Sequence, residues 1–342
     1  MATIREIADR AGVSLGTVDR VLHNRGRVSD ETAEKIRAVI AELGFTPNLF
    51  ARNLSTARDY CFGVLMPRLD QDGGYWQLPL KGMQRAAMAH RAYRISLQIA
   101  HFDRYNPESF LAAHRTLRAS GVDGILMAPV IQLAAKQVLD LPDNPVHVMF
   151  DVDLDHPGVL CHIGQDSGRA GQLAARLMRL LCPGGGSIAV LQPDTDNAHI
   201  ANRVAGFRSG LDPARFSLAL KVRPRAGDLA SFQVAVRELI RDVPDLAGIM
   251  VVDSTTYLVA TALADSARPG LPLIGYDLME EDIPWLENGA IPFLITQDPV
   301  GQGEAGINAL FSHVVINHAV EARITVPLNI VTLENYRYFL TR

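Results

Sequence analysis

The stretch from Thr3 to Val28, TIREIADRAGVSLGTVDRVLHNRGRV, constrains the fold more than any other part of the chain. Ile4, Ile7, Ala8 and Ala11 recur at helical intervals, and Thr17, Val18, Val21 and Leu22 begin a second set. Between them, Gly12 can close the first helix and Ser14 can cap the second. Two short helices around a tight glycine turn make either a generic helical hairpin or a helix-turn-helix, whose second helix is built for a DNA major groove. A third helical pattern follows. Ser29 offers its cap, Asp30 and Glu31 occupy the first turn where the helix dipole favours acids, and Gly44 ends it. Ala33, Ile36, Val39, Ile40 and Leu43 form its apolar stripe.

At 342 residues the chain is too long for one ordinary domain and fits a small module plus a larger body. Residues 1–58 hold nine Lys/Arg and seven Asp/Glu, a formal +2; the whole chain is −4, which leaves −6 for the remainder. That bias suits an amino-terminal module that meets nucleic acid. Cys61, Cys161 and Cys182 lie far apart with no metal spacing, and read as buried thiols of a reducing compartment. No metal or cofactor is expected. No charged-then-apolar leader precedes the first helix, and no apolar run approaches the roughly 20 residues of a membrane span. The expectation is a cytoplasmic protein with no membrane partner.

From Tyr60 onward strand-like and helix-like patterns alternate. CFGVLM at 61–66, ended by Pro67, reads as a buried strand; Lys81 to Arg91 is helical, Tyr93 to Ala100 strand-like and Pro107 to Ala119 helical. GILM at 124–127 and VHVMF at 146–150 add two strands. A second series runs through SIAVL at 187–191, LALKV at 218–222, GIMVV at 248–252 and PLIGY at 272–276. Two successive βαβ series imply an α/β body of two parallel-sheet lobes, with ligands at the carboxyl ends of the strands.

TIREIADRAGVS, TVDRVLHN, RVSDETAEKI and LGFTPNLFARNL occur in order, and on these motifs the chain resembles the LacI/GalR family of bacterial transcription regulators. The resemblance continues through the rest of the chain. It implies a small all-α helix-turn-helix headpiece over 1–58, with a hinge helix at about 48–55, and a two-lobed periplasmic-binding-protein-like body over 59–342. The amino-terminal lobe would take about 60–162 and 298–325, and the carboxy-terminal lobe 163–297 and 326–342, with crossings near Ile163, Gln297 and Thr325. By match to the family's reading positions, Leu15, Gly16 and Arg20 face base edges; Arg20 suits guanine O6 and N7, and Leu15 a thymine methyl. Thr3, Ser14, Thr17, Asn24 and Arg27 suit phosphate positioning. Asp19 departs from the small hydroxyl residue common in the family, and has to pair with Arg20 or Arg5 or accept from a cytosine amine. The hinge is too short for a stable helix alone. By resemblance it folds on DNA against its dimer mate, with Arg52 preceding a Leu54 that wedges into the minor groove.

The resemblance also implies a ligand between the lobes. Tyr75 and Trp76, in the loop after the first body strand, offer ring faces to the C–H face of a sugar. Arg203, in NRVAGF, is similar to the family's Arg-x-x-Gly-aromatic signature, whose arginine bonds sugar hydroxyls. Asp151, Asp253, Asp277 and Gln297 each follow a strand and match ligand positions of ribose-type binding proteins. Charged partners strengthen hydrogen bonds to hydroxyls. Val152 stands where those proteins carry an arginine, which argues against ribose itself.

GQGEAG at 301–306 is a GxGxxG string, which elsewhere cradles a dinucleotide pyrophosphate. It lies near the end of the chain rather than in the first βα turn, so a nicotinamide-dependent dehydrogenase is disfavoured and no enzyme is expected. A secreted sugar-binding component of a transporter fits the body but not the headpiece. The expectation is a repressor of carbohydrate-utilisation genes switched by a sugar or polyol, with a purine-like effector as the alternative. It would bind a pseudo-palindromic operator as a homodimer, since LENYRYFLTR shows no leucine heptad for a tetramer.

Overall fold

Capping chemistry sets the limits of the amino-terminal helices. The computed structural model describes residues 3–22, 26, 28–43, 58–193, 197–223 and 229–340, and divides the chain into two units, Met1–Arg58 and Asp59–Arg342. In the first unit α1 spans Ile4–Ala11, α2 Leu15–Leu22 and α3 Asp30–Glu42. Thr3 and Glu6 form a reciprocal capping box on α1: the Glu6 N–H donates to Thr3 Oγ1 at 3.2 Å and the Thr3 N–H to Glu6 Oε2 at 3.3 Å. Gly12 ends α1 in the left-handed region at φ 66°, a conformation that costs glycine least. Ser14 then accepts from the Thr17 N–H at 3.2 Å, and Ser29 caps α3 from Thr32. Ile7, Ala8, Ala11, Val18, Ile36 and Val39 close a small core among the three helices.

The second unit holds twelve strands among the described residues: β1 Tyr60–Pro67, β2 Ile95–Phe102, β3 Gly124–Met127, β4 Val146–Phe150, β5 Val159–Gly164 and β6 Gly186–Pro193, then β7 Phe216–Arg223, β8 Leu246–Val251, β9 Leu273–Tyr276, β10 Phe293–Thr296, β11 Arg323–Thr325 and β12 Asn329–Val331. They form two six-stranded sheets, ordered β11-β5-β4-β3-β1-β2 and β12-β10-β9-β8-β6-β7. Neighbours are parallel throughout except β10 and β12. The helices are α4 Gln77–Ala89, α5 Pro107–Ala119, α6 Gln132–Leu139, α7 Ser167–Leu181 and α8 Ala198–Gly210, followed by α9 Leu229–Asp242, α10 Thr256–Ala264, α11 Ile283–Glu287, α12 Pro299–Leu310 and α13 Arg337–Leu340. The chain passes between the sheets after β5, after β10 and between β11 and β12.

In each lobe one helix pair crosses at backbone contact. A Cβ on Gly82 of α4 would lie 1.9 Å from the Val300 carbonyl oxygen, and one on Gly303 of α12 2.0 Å from that of Pro79. The other lobe repeats the device: a Cβ on Gly171 of α7 would lie 2.0 Å from the Arg203 carbonyl oxygen, and one on Gly206 of α8 2.0 Å from that of Gly168. This closeness fixes where α8 presents Arg203.

The GxGxxG string is part of this packing and has no room for a phosphate. It lies inside α12, whose amino terminus is already served: Pro299 has no N–H, and Asp298 accepts from the Gly301 N–H at 3.1 Å. Gly301 lies under the Asp298 carboxylate, Gly303 against Pro79 and Gly306 against Leu126.

The boundaries of α4 and β2 differ from the sequence expectation at both ends. The helix expected over 81–91 begins at Gln77, because Pro79 falls in its first turn, where a missing N–H costs nothing. It stops at Ala89, and Arg91–Tyr93 form a separate turn ended by Arg94 at φ 53°, so β2 starts at Ile95 rather than Tyr93. Gly206→Ala should lower the unfolding free energy of the body by about 2–3 kcal/mol through overpacking. Gly184→Ala, where a Cβ meets nothing within 4 Å, should change it by less than about 0.5 kcal/mol in the same urea titration.

Candidate functional site

Two surfaces carry the candidate chemistry, one in each unit. In the first, Val18 turns α2 inward, while Ser14, Leu15, Gly16 and Arg20 are exposed and Thr17 is half-buried. Leu15 is 52% exposed, which leaves its side chain available for an apolar contact outside the protein. The Ser14 and Thr17 hydroxyls lie 2.9 Å apart at the start of α2. The Arg20 side chain runs past Gly26, where a Cβ would sit 3.6 Å from its Cδ. Arg10 and Glu42 pair at 2.8 Å and tie α1 to α3 behind this face. Asn24, Arg27, Arg52, Leu54 and the hinge at 48–55 lie outside the described residues.

In the second unit Tyr75, Trp76, Asp151, Arg203, Asp253, Asp277 and Gln297 all line one cavity with about 440 Å³ of atom-free space, part of it open to solvent. It lies between the two sheets at the carboxyl ends of their strands, as open α/β sheets place ligand sites. Asp72, Asp151 and Asp277 hold left-handed backbone, at φ 54°, 69° and 59°. Aspartate tolerates that region better than most residues. For Asp151 and Asp277 the reversal comes directly after a strand; Asp72 lies in the turn that follows β1.

Arg203 is almost wholly enclosed, at 1% exposure. Its guanidinium carbon lies 3.8 Å from the centre of the Tyr276 ring, and Nη1 donates to the Val252 carbonyl. Its Nε and Nη2 are buried with no hydrogen-bond partner in the protein. Asp277 lies in the same pocket at 1% exposure. It accepts from Gln297 Nε2 at 2.9 Å and from the Gln297 N–H at 3.2 Å. Burial raises its pKa to about 6, against the pull of Arg203 and of the two Gln297 donors. Asp151 is also raised by burial, and accepts from the Tyr75 hydroxyl at 2.8 Å. The Tyr75 phenol is pushed far up, by burial first and then by Asp151, so it is a neutral donor.

The cavity also contains groups that the sequence did not reveal. Asp72 accepts from Trp76 Nε1 at 2.7 Å and forms a buried ion pair with Arg104. Burial opposes the Arg104 charge, but Asp72, Tyr105 and Asp253 together outweigh it and the pKa rises. Ser254 Oγ, from the other lobe, donates to the Asp72 carbonyl at 2.8 Å. His199 is held neutral, by burial and then by Arg203 and Arg104. Arg104 follows β2 by two residues, so the strand-end rule finds it once that strand is ended at Phe102 instead of Ala100. Asp72 and His199 have no comparable signal.

A buried amide chain links the cavity to the chain crossings. Gln165 Nε2 donates to Gln297 Oε1 at 2.8 Å, Gln302 Nε2 to the Gln297 carbonyl at 3.0 Å, and the Asp151 N–H to Gln302 Oε1 at 2.9 Å.

Residues 3–48 match the model of the bacterial regulatory proteins of the lacI family, and residues 62–315 match a periplasmic binding protein domain. The chain joins a LacI-family regulatory domain to a periplasmic binding protein domain. Among curated LacI-family relatives, the transcriptional regulator DegA of Bacillus subtilis is 30% identical over 62% of this chain and 61% of its own length. The ribose operon repressor of Lactococcus lactis is 29% identical over 62% and 59%, and the sucrose operon repressor of that species 26% over 81% and 83%. The chain thus spans about three fifths of the length of the first two. A Bacteroides fragilis structure assigned to the LacI regulators superposes with TM-score 0.76 at 26% identity, covering 82% of this chain and 99% of that one. A glucose-galactose binding protein from Geobacillus stearothermophilus shares the fold, with TM-score 0.71 at 20% identity over 81% and 99%. Among the described residues no helix of this chain is long and apolar enough to cross a membrane.

The raised pKa of Asp277 has a definite sign in stability. The folded state holds the proton more tightly than the unfolded one, whose carboxyl titrates near 3.8. This contribution is therefore present at low pH and is lost as pH rises through about 6. Asp277→Asn removes the titration, so its stability relative to wild type should climb from pH 4 to 6 and level off above. Urea midpoints of the two proteins across that range check the sign.

Proposed function

We propose that this chain is a sequence-specific DNA-binding transcriptional repressor of carbohydrate-utilisation genes, switched by a neutral sugar or polyol bound between its lobes. Residues 1–58 are the DNA-reading headpiece and 59–342 the effector-binding and dimerisation body. The observation that carries the reading is Arg203, a buried cation with two donors unpaired in the protein, in one cavity with Asp72, Asp151, Asp253 and Asp277. Unpaired buried donors cost about 1–3 kcal/mol each. Hydroxyl groups satisfy donors and carboxylates together, because each both accepts and donates.

At the headpiece, exposed Arg20 and Leu15 read base edges from α2, with Gly16 allowing close approach. Thr3, Ser14 and Thr17, with Asn24, Arg27 and Arg52, position the phosphates, and Leu54 wedges into the minor groove. A homodimer in the cytoplasm presents two headpieces to a pseudo-palindromic operator. The regulators named among the relatives, and the absence of a phosphate cradle in the GxGxxG string, support a regulator rather than an enzyme. The effector shifts DNA affinity by as much as it prefers one lobe arrangement over the other.

Fluorescence anisotropy on labelled DNA from around its own gene, with and without sugars and polyols, tests this reading. Salt-sensitive, sequence-specific binding that one ligand shifts is expected; sugar binding without DNA binding overturns it. Arg203→Ala should keep operator affinity while weakening the effector about 100-fold, the loss of charge-assisted hydrogen bonds. A normal response from that variant removes Arg203 from the site. Arg20→Ala should weaken specific binding about tenfold to a hundredfold and lower the salt slope by about 1 or less.

A further inference from the structure

We infer that the effector has two linked polyhydroxy units, an inner one in the cavity and an outer one in a larger groove continuous with it. The inference rests on the sugar reading above and extends it. Asp151 and His199 line both the groove and the cavity, so the two spaces adjoin at these residues. Its atom-free space is about 1270 Å³, part of it open to solvent, against about 440 Å³ for the cavity. A ligand confined to the smaller space leaves the larger one unused.

The walls of the groove are built for a neutral, hydroxylated occupant. One side is a face of α8: Ala198, Asn202, Ala205 and Ser209 recur at helical spacing and are exposed, while Arg203, Val204 and Phe207 on the same helix are buried. Small side chains keep that face open. The other side is the edge of the first sheet and the first crossing, where His162 is 5% and Gln165 8% exposed. His162 Nε2, Gln165 Oε1 and His199 Nδ1 are all buried without a hydrogen-bond partner in the protein. Both histidines are kept neutral by burial; Arg323 Nη1 lies 3.3 Å from His162 Nδ1, which leaves His162 Nε2 to donate to an occupant, and His199 Nδ1 is likewise open to one.

Charge excludes an anionic outer unit. Asp151, Asp153 and Asp166 line the groove against one cation, Arg323, which Asp153 already pairs. Asp166 is committed to capping α7 through the Arg169 N–H at 2.9 Å. A phosphate or carboxylate would enter a net negative groove; a second sugar ring meets hydroxyl-sized polar partners.

The test is calorimetry on the full chain with matched probes: glucose against maltose and sucrose, galactose against melibiose, and myo-inositol against galactinol. At least one two-unit probe should bind about tenfold or more tighter than its single-ring partner. Ala205→Trp, which fills the groove from an exposed helix position, should erase that advantage and leave single-ring binding unchanged. Single rings that bind while no two-unit probe gains affinity overturn the extension alone, as does a two-unit advantage that survives Ala205→Trp. Failure of every probe of both kinds overturns the sugar reading and the extension with it.

Discussion

A guanidinium removed from water is stable only if its charge is answered, and the effector lobes are organised around answering that of Arg203. Removing such a charge from water costs several kcal/mol even after relaxation, and one carbonyl bond and one aromatic face cover only part of it. The remainder falls to Asp151 and Asp277, whose carboxylates are themselves pushed toward protonation by burial. None of the three is comfortable alone. Such a cluster gains from a ligand that donates to the carboxylates and accepts from the arginine. The glycine contact between α7 and α8 supplies the rigidity that holds Arg203 in place.

The same carboxylates are wired to the chain crossings. Asp277 bonds Gln297 at the second crossing, Gln297 bonds Gln165 at the first, and Gln302 joins the Gln297 carbonyl to the Asp151 backbone. A ligand that bonds Asp151 or Asp277 therefore touches groups one hydrogen bond from the segments that join the lobes. On the far side of the cavity, Ser254 reaches across to Asp72, whose carboxylate already holds Trp76 and Arg104. The cavity walls and the contacts between the lobes thus share atoms, the condition under which a ligand that prefers one lobe arrangement can bias it.

Much of this was legible before any coordinates. Strand-end aspartates announced themselves because a hydrophobic run of strand length followed by a lone acid is hard to read otherwise: VHVMF then Asp151, GIMVV then Asp253, LIGY then Asp277. The headpiece was equally clear, since caps and apolar spacing are local properties and α1, α2 and α3 obey both. Long-range partners were not. Asp72 sits in a loop with no periodicity around it, and its role comes from Trp76, Arg104 and Ser254 meeting there in space. The helix start at Gln77 was hidden by Pro79, which reads as a breaker unless its place in the first turn is known. β5 at Val159–Gly164 showed in the sequence only as a crossing point, because VLCHIG is short and carries a histidine where a buried strand usually runs apolar.

The amino-acid sequence by itself determined the helix-turn-helix, the two alternating βα series and the strand-end positions that carry polar groups. All of these rest on interactions between residues close in the chain, so spacing and caps suffice to specify them. Only the tertiary structure decided that four strand-end residues share one cavity with Tyr75, Trp76 and Arg203, that GxGxxG serves helix packing, and that Asp72, Arg104 and His199 complete the walls. Those outcomes depend on backbones meeting within 2 Å of a missing Cβ and on charges buried together from different lobes. No local pattern encodes such distances, because they follow from how whole sheets and helices pack.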